Sequence, residues 1–193
     1  MIKNLFISFV LICFLSGCGV QDIPRSLNEV DAAFAEVQNQ YKRRADLIPN
    51  LVNVVKGYAS HEQETLQGVV EARAKATQMN INPTNLNEQS LRDFQSAQSG
   101  LSSALARLMV VVEKYPDLKA DQNFRDLQIQ LEGTENRITV ARNRYIETIK
   151  NFNNLVTVFP TSLTNKIFFK HEKKPQFTVE NAEAIQNAPE VKF

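Results

Sequence analysis

The stretch LNEVDAAFAEVQNQYKRRADLIPNLVNVVKGY, residues 27–58, decides the fold class of this chain. Its apolar residues recur alternately three and four positions apart, which is the period of one face of an α-helix. The same period continues through Ala76, with Arg44, Glu62 and Thr65 as polar exceptions on the apolar face. The sequence therefore predicts one extended first helix that ends at the Asn- and Pro-rich segment NINPTNLN.

Two later segments carry the same helical period. One runs from Leu91 to Tyr115 and the other from Phe124 to Phe159. Each stops at a proline, Pro116 or Pro160, and the residue before a proline disfavours helical conformation. Three long amphipathic helices with short polar connections predict an all-α fold, an antiparallel bundle over residues 27–160.

The C-terminal tail, residues 161–193, reads as an irregular segment packed on the bundle, with one short helix over Val179 to Gln186. Its aromatic residues alternate with lysines, so they could touch a lipid headgroup layer or a partner protein. Packing of these rings onto the bundle is the favoured alternative. The aromatic residues in question are Phe168, Phe169, Phe177 and Phe193.

The N-terminus MIKNLFISFVLICFLSGC has one basic residue and then an apolar run, which is the layout of a secretory signal. A transmembrane anchor is the alternative, but a span needs about 20 apolar residues. The last four residues resemble the bacterial lipobox, in which cleavage precedes a cysteine that carries lipid: Leu15, Ser16, Gly17 and Cys18. We predict a lipoprotein signal peptide at residues 1–17 and a lipidated Cys18 that opens a short tether, residues 18–26.

A lipidated Cys18 would hold the chain on an envelope membrane, facing outside the cytoplasm. Gly19 follows the cysteine, and by resemblance to enteric sorting rules this favours the periplasmic face of the outer membrane in a host that has one. The net charge is only +1 and tryptophan is absent, so the chain lacks the basic footprint of a nucleic-acid-binding protein.

The lengths of the predicted helices leave part of the first one uncovered. At 1.5 Å per residue the first helix reaches roughly 80 Å and the second returns only about 40 Å, so the second helix ends near Pro49. Pro49 is the predicted site of a helix kink. We call this uncovered apolar face the predicted stalk seam: Leu27, Val30, Phe34, Val37 and Tyr41. The candidates to cover it are the tail, the third helix, a second copy of the chain and another protein.

Charged residues on or beside the apolar faces predict a polar network between helices. Arg44 would need a carboxylate partner, because an unpaired buried charge is very costly. A pair between Arg137 and Glu62 is the favoured register, with Glu135 and Asn136 beside it. Such groups more often set helix register and partner choice than carry chemistry.

The sequence offers no constellation for catalysis. His61 opens an incomplete metalloprotease pattern, since Thr65 stands where the second histidine would be. Two histidines are too few for a zinc site, and a processed, lipidated chain keeps no free thiol. We therefore expect no metal, no cofactor and no enzyme activity.

Three blocks resemble the LemA family of bacterial envelope proteins, and they occur in the correct order. They are KRRADLIPNLVNVVKGYASHE, YPDLKADQNFRDLQIQLEGTENRITVARNRY and FNNLVTVFP, within residues 42–160. The resemblance extends over nearly all of residues 27–193 and implies a helical bundle exposed outside the cytoplasmic membrane. That family commonly begins with a transmembrane helix, whereas this chain carries a lipobox.

Together these features predict a lipid-anchored extracytoplasmic scaffold or interaction protein. Its predicted partners are the membrane, through the N-terminal lipid, and either a second copy of the chain or another envelope protein. The alternative is a binding module that holds a small ligand or peptide in a groove near Arg44, Glu62 and Arg137.

Overall fold

The computed structural model describes residues 20–79, 81 and 86–177, and this part of the chain contains helices and no strand. The predicted all-α class is confirmed. The predicted helix over Val179 to Gln186 lies outside the described residues. The elements are α1 Asp22–Tyr58, α2 Gln63–Gln78, α3 Glu88–Val112, α4 Pro116–Ala120, α5 Gln122–Thr157, α6 Thr161–Thr164 and a π-helical turn Asn165–Phe169.

Helices α1 and α5 form the antiparallel frame of the bundle. They have 37 and 36 residues, so each is about 55 Å long at the α-helical rise. Three of the contacts along this pair have partners whose residue numbers have the same sum: Tyr58 with Asp121, which caps α5, Arg44 with Glu135, and Phe34 with Tyr145. This constant register places Gln21, just before α1, level with Val158, just after α5.

The predicted single first helix is wrong, because the chain reverses between α1 and α2. The Glu62 backbone N–H donates to the carbonyl of Ala59 at 3.1 Å, which closes the turn. Helix α2 then runs back along α1, where the Arg73 Nε–H donates to the carbonyl of Ala45 at 2.7 Å. The break falls where the apolar pattern needed Glu62 and Thr65 as exceptions. The two later predicted helices correspond to α3 and α5.

The predicted stalk seam is not an interaction surface, because the chain covers it itself. Four of its residues, Val30, Phe34, Val37 and Tyr41, are buried and Leu27 is half-buried. Their cluster includes residues from α5, the start of α3 and Phe177 of the tail. Pro49 lies inside α1 rather than at an end of the bundle, and the kink there stays a prediction.

Helix α5 begins with a side-chain cap. The backbone N–H of Phe124 donates to Asp121 Oδ1 at 2.9 Å, so the carboxylate caps the helix. The Phe124 N–H and the hydroxyl of Tyr58 lower the pKa of Asp121, since both hydrogen bonds favour the charged form. Asp121 therefore joins the last residue of α1 to the first turn of α5.

Residues 170–177 of the tail form a strap along α5. Asn153 holds it from both sides: its Nδ2 donates to the carbonyl of Lys174 at 3.1 Å, and its Oδ1 accepts from the Lys174 N–H at 2.9 Å. At the end of the strap the ring of Phe177 lies 5.1 Å from that of Tyr145. The strap thus covers the part of the bundle in which Tyr145 lies.

Candidate functional site

A buried arginine stands at the middle of the bundle. Arg44 of α1 is 2% exposed, and its guanidinium touches both α3 and α5. Nη1 donates to Ser102 Oγ at 2.9 Å and to Glu135 Oε2 at 3.0 Å. Nη2 donates to the side-chain oxygen of Gln98 at 2.8 Å and to its backbone carbonyl at 3.2 Å. The guanidinium carbon also lies 5.0 Å from the centre of the Tyr41 ring.

Helix α2 joins this arrangement through a hydrogen bond from Gln98 of α3. Its Nε2 donates to the carbonyl of Ala76 in α2 at 3.3 Å. Thr134, which precedes Glu135 in α5, is fully buried, and its hydroxyl donates to the carbonyl of Gln130 within the same helix. We call this set the polar layer: Arg44, Gln98, Ser102, Thr134, Glu135 and the Ala76 carbonyl.

The polar layer separates two apolar clusters. The lower cluster holds Phe34, Phe94 and Tyr145, and the upper one holds Leu51 and Leu108. A slip of one helix turn would bury the guanidinium among apolar side chains, where an unpaired charge is very costly. The arrangement is therefore suited to fixing the register of four helices, a role known for polar groups inside helical cores.

Water reaches one edge of the layer. The side chain of Glu135 is 56% exposed whereas that of Arg44 is 3% exposed, so the ion pair is solvated on the carboxylate side. Arg44 Nε is buried and has no hydrogen-bond partner. Burial raises the pKa of the Tyr41 hydroxyl despite the nearby cations Arg142 and Arg44, so this ring stays neutral at physiological pH.

The structure unites two of the five residues predicted for a polar network, Arg44 and Glu135. Glu62 instead accepts a hydrogen bond from the Tyr115 hydroxyl at 3.1 Å, so its predicted pairing with Arg137 is wrong. Asn136 and Arg137 are exposed on the outer side of α5.

Three members of the polar layer, Gln98, Ser102 and Thr134, were not among the predicted site residues. Gln98 and Thr134 occupy positions in otherwise apolar helical faces. One polar residue in the apolar face of each of α1, α3 and α5 is the sequence feature that indicates a buried polar layer. Ser102 lies off the apolar face of α3, so the helical period gave no sign of it.

A shallow groove of about 480 Å³ lies between α1 and α5 on the outer surface. Val140, which is 69% exposed, lies on its wall. We call it the α1–α5 groove, and its lining includes Ala32, Glu36, Asn136, Arg137, Val140 and Arg144. Arg44 and Glu62 do not line it, so the predicted ligand groove that combines them with Arg137 is wrong.

Within residues 20–79, 81 and 86–177, no group of three or more His, Cys, Asp or Glu side chains is placed to hold a metal ion. None of the helices described there is both long enough and apolar enough to cross a membrane. His61 is exposed, and the ring of His171 stacks on Phe169 with centroids 5.9 Å apart.

The predicted lipidation motif lies outside the described residues and stays a prediction: Leu15, Ser16, Gly17 and Cys18. The described chain starts close to it, because α1 begins at Asp22. Helix α1 includes residues 22–26, which the prediction assigned to the tether.

Comparison with known proteins identifies the family. The model of the LemA family matches residues 33–193, which include the polar layer. Protein LemA of Metamycoplasma hominis is 25% identical over 142 residues, which make up 74% of this chain and 58% of that protein. The chain therefore spans less than two thirds of that relative's length. Because the family model matches far more than half of the sequence, the chain belongs to the LemA family.

Proposed function

We propose that this protein is a lipid-anchored, extracytoplasmic scaffold that presents a rigid helical bundle at the surface of an envelope membrane. In a host with an outer membrane, the periplasmic face of that membrane is the favoured location. The observation that carries the proposal is the short connection between Cys18 and α1, which begins at Asp22. A lipid on Cys18 would thus tie the bundle directly to the membrane.

Rigidity of the bundle supports a scaffold role. The polar layer allows one register of the four helices, and the strap fastens the tail to α5 through Asn153. A scaffold also needs a surface to present. The buried seam of α1 is unavailable, so we assign that role to the α1–α5 groove, where Val140 is exposed between charged side chains.

The anchor is tested by the two cysteines of the chain, Cys13 and Cys18. In cells fed an alkyne analogue of palmitate, we expect the wild-type chain and Cys13→Ala to carry the label. Cys18→Ala should lose it, because no other cysteine follows the cleavage position. Labelling of Cys18→Ala, or a mature N-terminus elsewhere by mass spectrometry, would disprove the anchor.

The interaction surface is tested by photo-cross-linking in cells. A photoreactive amino acid at Val140 is expected to form a discrete cross-linked species, either with a second copy or with an envelope protein. The same probe at Ser103, an exposed position on α3, is the matched control. Equal cross-linking at both positions would show that the α1–α5 groove has no special role.

A further inference from the structure

One end of the bundle exposes a concentration of large apolar side chains. In the described part of the chain eleven large apolar residues are exposed, and five of them lie within residues 158–168. Single exposed apolar residues are ordinary, whereas contiguous ones mark a contact surface. We call this surface the apolar end: Val158, Phe159, Leu163, Ile167 and Phe168.

Two of the five side chains of the apolar end line a common groove. A shallow groove of about 650 Å³ is lined by Phe159 and Leu163 together with Lys166 and Lys170. Phe168 is 68% exposed although the next residue, Phe169, packs against the lower core. The π-helical turn therefore divides its aromatic pair, with one ring on the core and the other toward the surroundings.

The apolar end is also the end of the bundle at which α1 begins, so it is the end nearest to Cys18 in the sequence. The register of α1 and α5 places Gln21 level with Val158. Val20 precedes Gln21 and is itself 40% exposed. Cys18 lies two positions before Val20 in the sequence, so their Cα atoms are at most about 7 Å apart. A lipid on Cys18 would hold this end, and not the opposite one, against the membrane.

Charges around the apolar end suit a bilayer surface. Lys166, Lys170 and Lys173 are exposed there, and the nearby carboxylates are Glu172 in the strap and Asp22 at the start of α1. Lysines attract anionic headgroups while their aliphatic stems lie along apolar surface. Phe and Leu side chains on the apolar face of interfacial helices are buried at the boundary between headgroups and acyl chains.

We infer that the apolar end rests on the lipid bilayer, with Phe159, Leu163, Ile167 and Phe168 in the interfacial layer and the lysines at the headgroups. This inference rests on the proposed membrane anchor. It goes beyond the anchor because it assigns a second, non-covalent contact and so fixes the direction of the bundle. With α1 and α5 standing on this end, the α1–α5 groove faces sideways and stays accessible.

The chain provides a clean test because it contains no tryptophan. Phe159→Trp and Phe168→Trp each introduce a single fluorophore at the apolar end, and Val140→Trp introduces one at a similarly exposed site higher on α5. The full protein, purified from cells in detergent, is reconstituted into vesicles of phosphatidylethanolamine and phosphatidylglycerol. Half of the samples contain brominated lipids, which quench tryptophan only on contact.

We expect brominated lipids to remove most of the emission of Phe159→Trp and Phe168→Trp and to leave Val140→Trp unchanged. Unquenched, water-exposed emission from the first two variants would overturn the inference. Unquenched but blue-shifted emission would also overturn it and would assign the cover to residues 178–193 or to a second copy. Quenching of all three variants would overturn it as well, because the bundle would then lie flat.

Flotation of the wild-type chain and Cys18→Ala with the same vesicles reports the anchor separately. Loss of flotation in Cys18→Ala alone supports the covalent anchor, whatever the quenching shows. A wild-type chain that floats without quenching keeps the anchor and loses the apolar end as a lipid contact.

Discussion

Arg44→Ala is expected to lower the free energy of unfolding by about 3 kcal/mol. The substitution removes four hydrogen bonds and the packing of the arginine stem at the centre of the bundle. It also leaves the side-chain oxygen of Gln98 buried without its donor, and an unsatisfied buried group costs about 1–3 kcal/mol. Equilibrium unfolding in urea measures the loss.

Exposed Arg43 provides the matched control, because it is the same residue type one position away. Arg43→Ala should change stability by no more than about 0.5 kcal/mol. An equal effect of the two substitutions would show that the polar layer contributes nothing to stability.

A double variant separates the cost of the charge from the cost of the cavity. Arg44→Met with Gln98→Leu replaces the buried polar pair by apolar groups of similar size, which often leaves stability unchanged or raises it. We therefore expect the double variant to recover most of the loss seen in Arg44→Ala. Failure to recover would mean that the groups left without their partners, Glu135, Ser102 and the Ala76 carbonyl, account for much of the loss.

Phe34→Ala is expected to be the most destabilising single substitution in the lower core, at about 4 kcal/mol. The ring is fully buried and lies 5.3 Å from Tyr145 and 6.2 Å from Phe94 by centroid distance. For a domain of this size, that loss lowers the melting temperature by about 10 °C. Thermal unfolding followed by circular dichroism measures it.

Phe34→Ala also tests whether the apolar face of α1 is part of the core or a surface for a partner. A seam reserved for a partner would tolerate Phe34→Ala without loss of stability, and only association would change. Ile129→Ala on α5 removes a large apolar side chain that is 65% exposed, so it should leave the melting temperature nearly unchanged. Equal melting temperatures for Phe34→Ala and Ile129→Ala would restore the seam as an interaction surface.

Helical period predicted the fold class and both α3 and α5, because each helix buries one continuous apolar stripe. It failed at the turn between α1 and α2, since two amphipathic helices can continue one another's pattern across a reversal. The closing turn depends on a local hydrogen bond between Glu62 and Ala59, which periodicity does not report. The arithmetic that left Phe34 exposed followed from that error.

For the polar layer, the sequence indicated the need for a carboxylate near Arg44 and did not indicate which one. The choice between Glu135 and other carboxylates depends on the axial offset of α5 against α1. That offset follows from packing along the whole pair, including Phe34 against Tyr145. A sequence read one helix at a time contains no measure of it.

The antiparallel pairing of α1 and α5 also affects how the chain folds as it is synthesised. Helix α1 is made first, but its main partner α5 begins only at Gln122, so their contacts are distant in sequence. Meanwhile α2 and α3 are close neighbours in sequence and can associate early. During synthesis, the apolar face of α1 stays open until most of the chain has emerged, a period in which such surfaces are prone to aggregate. Folding of this protein therefore depends on protection of its first helix until α5 arrives.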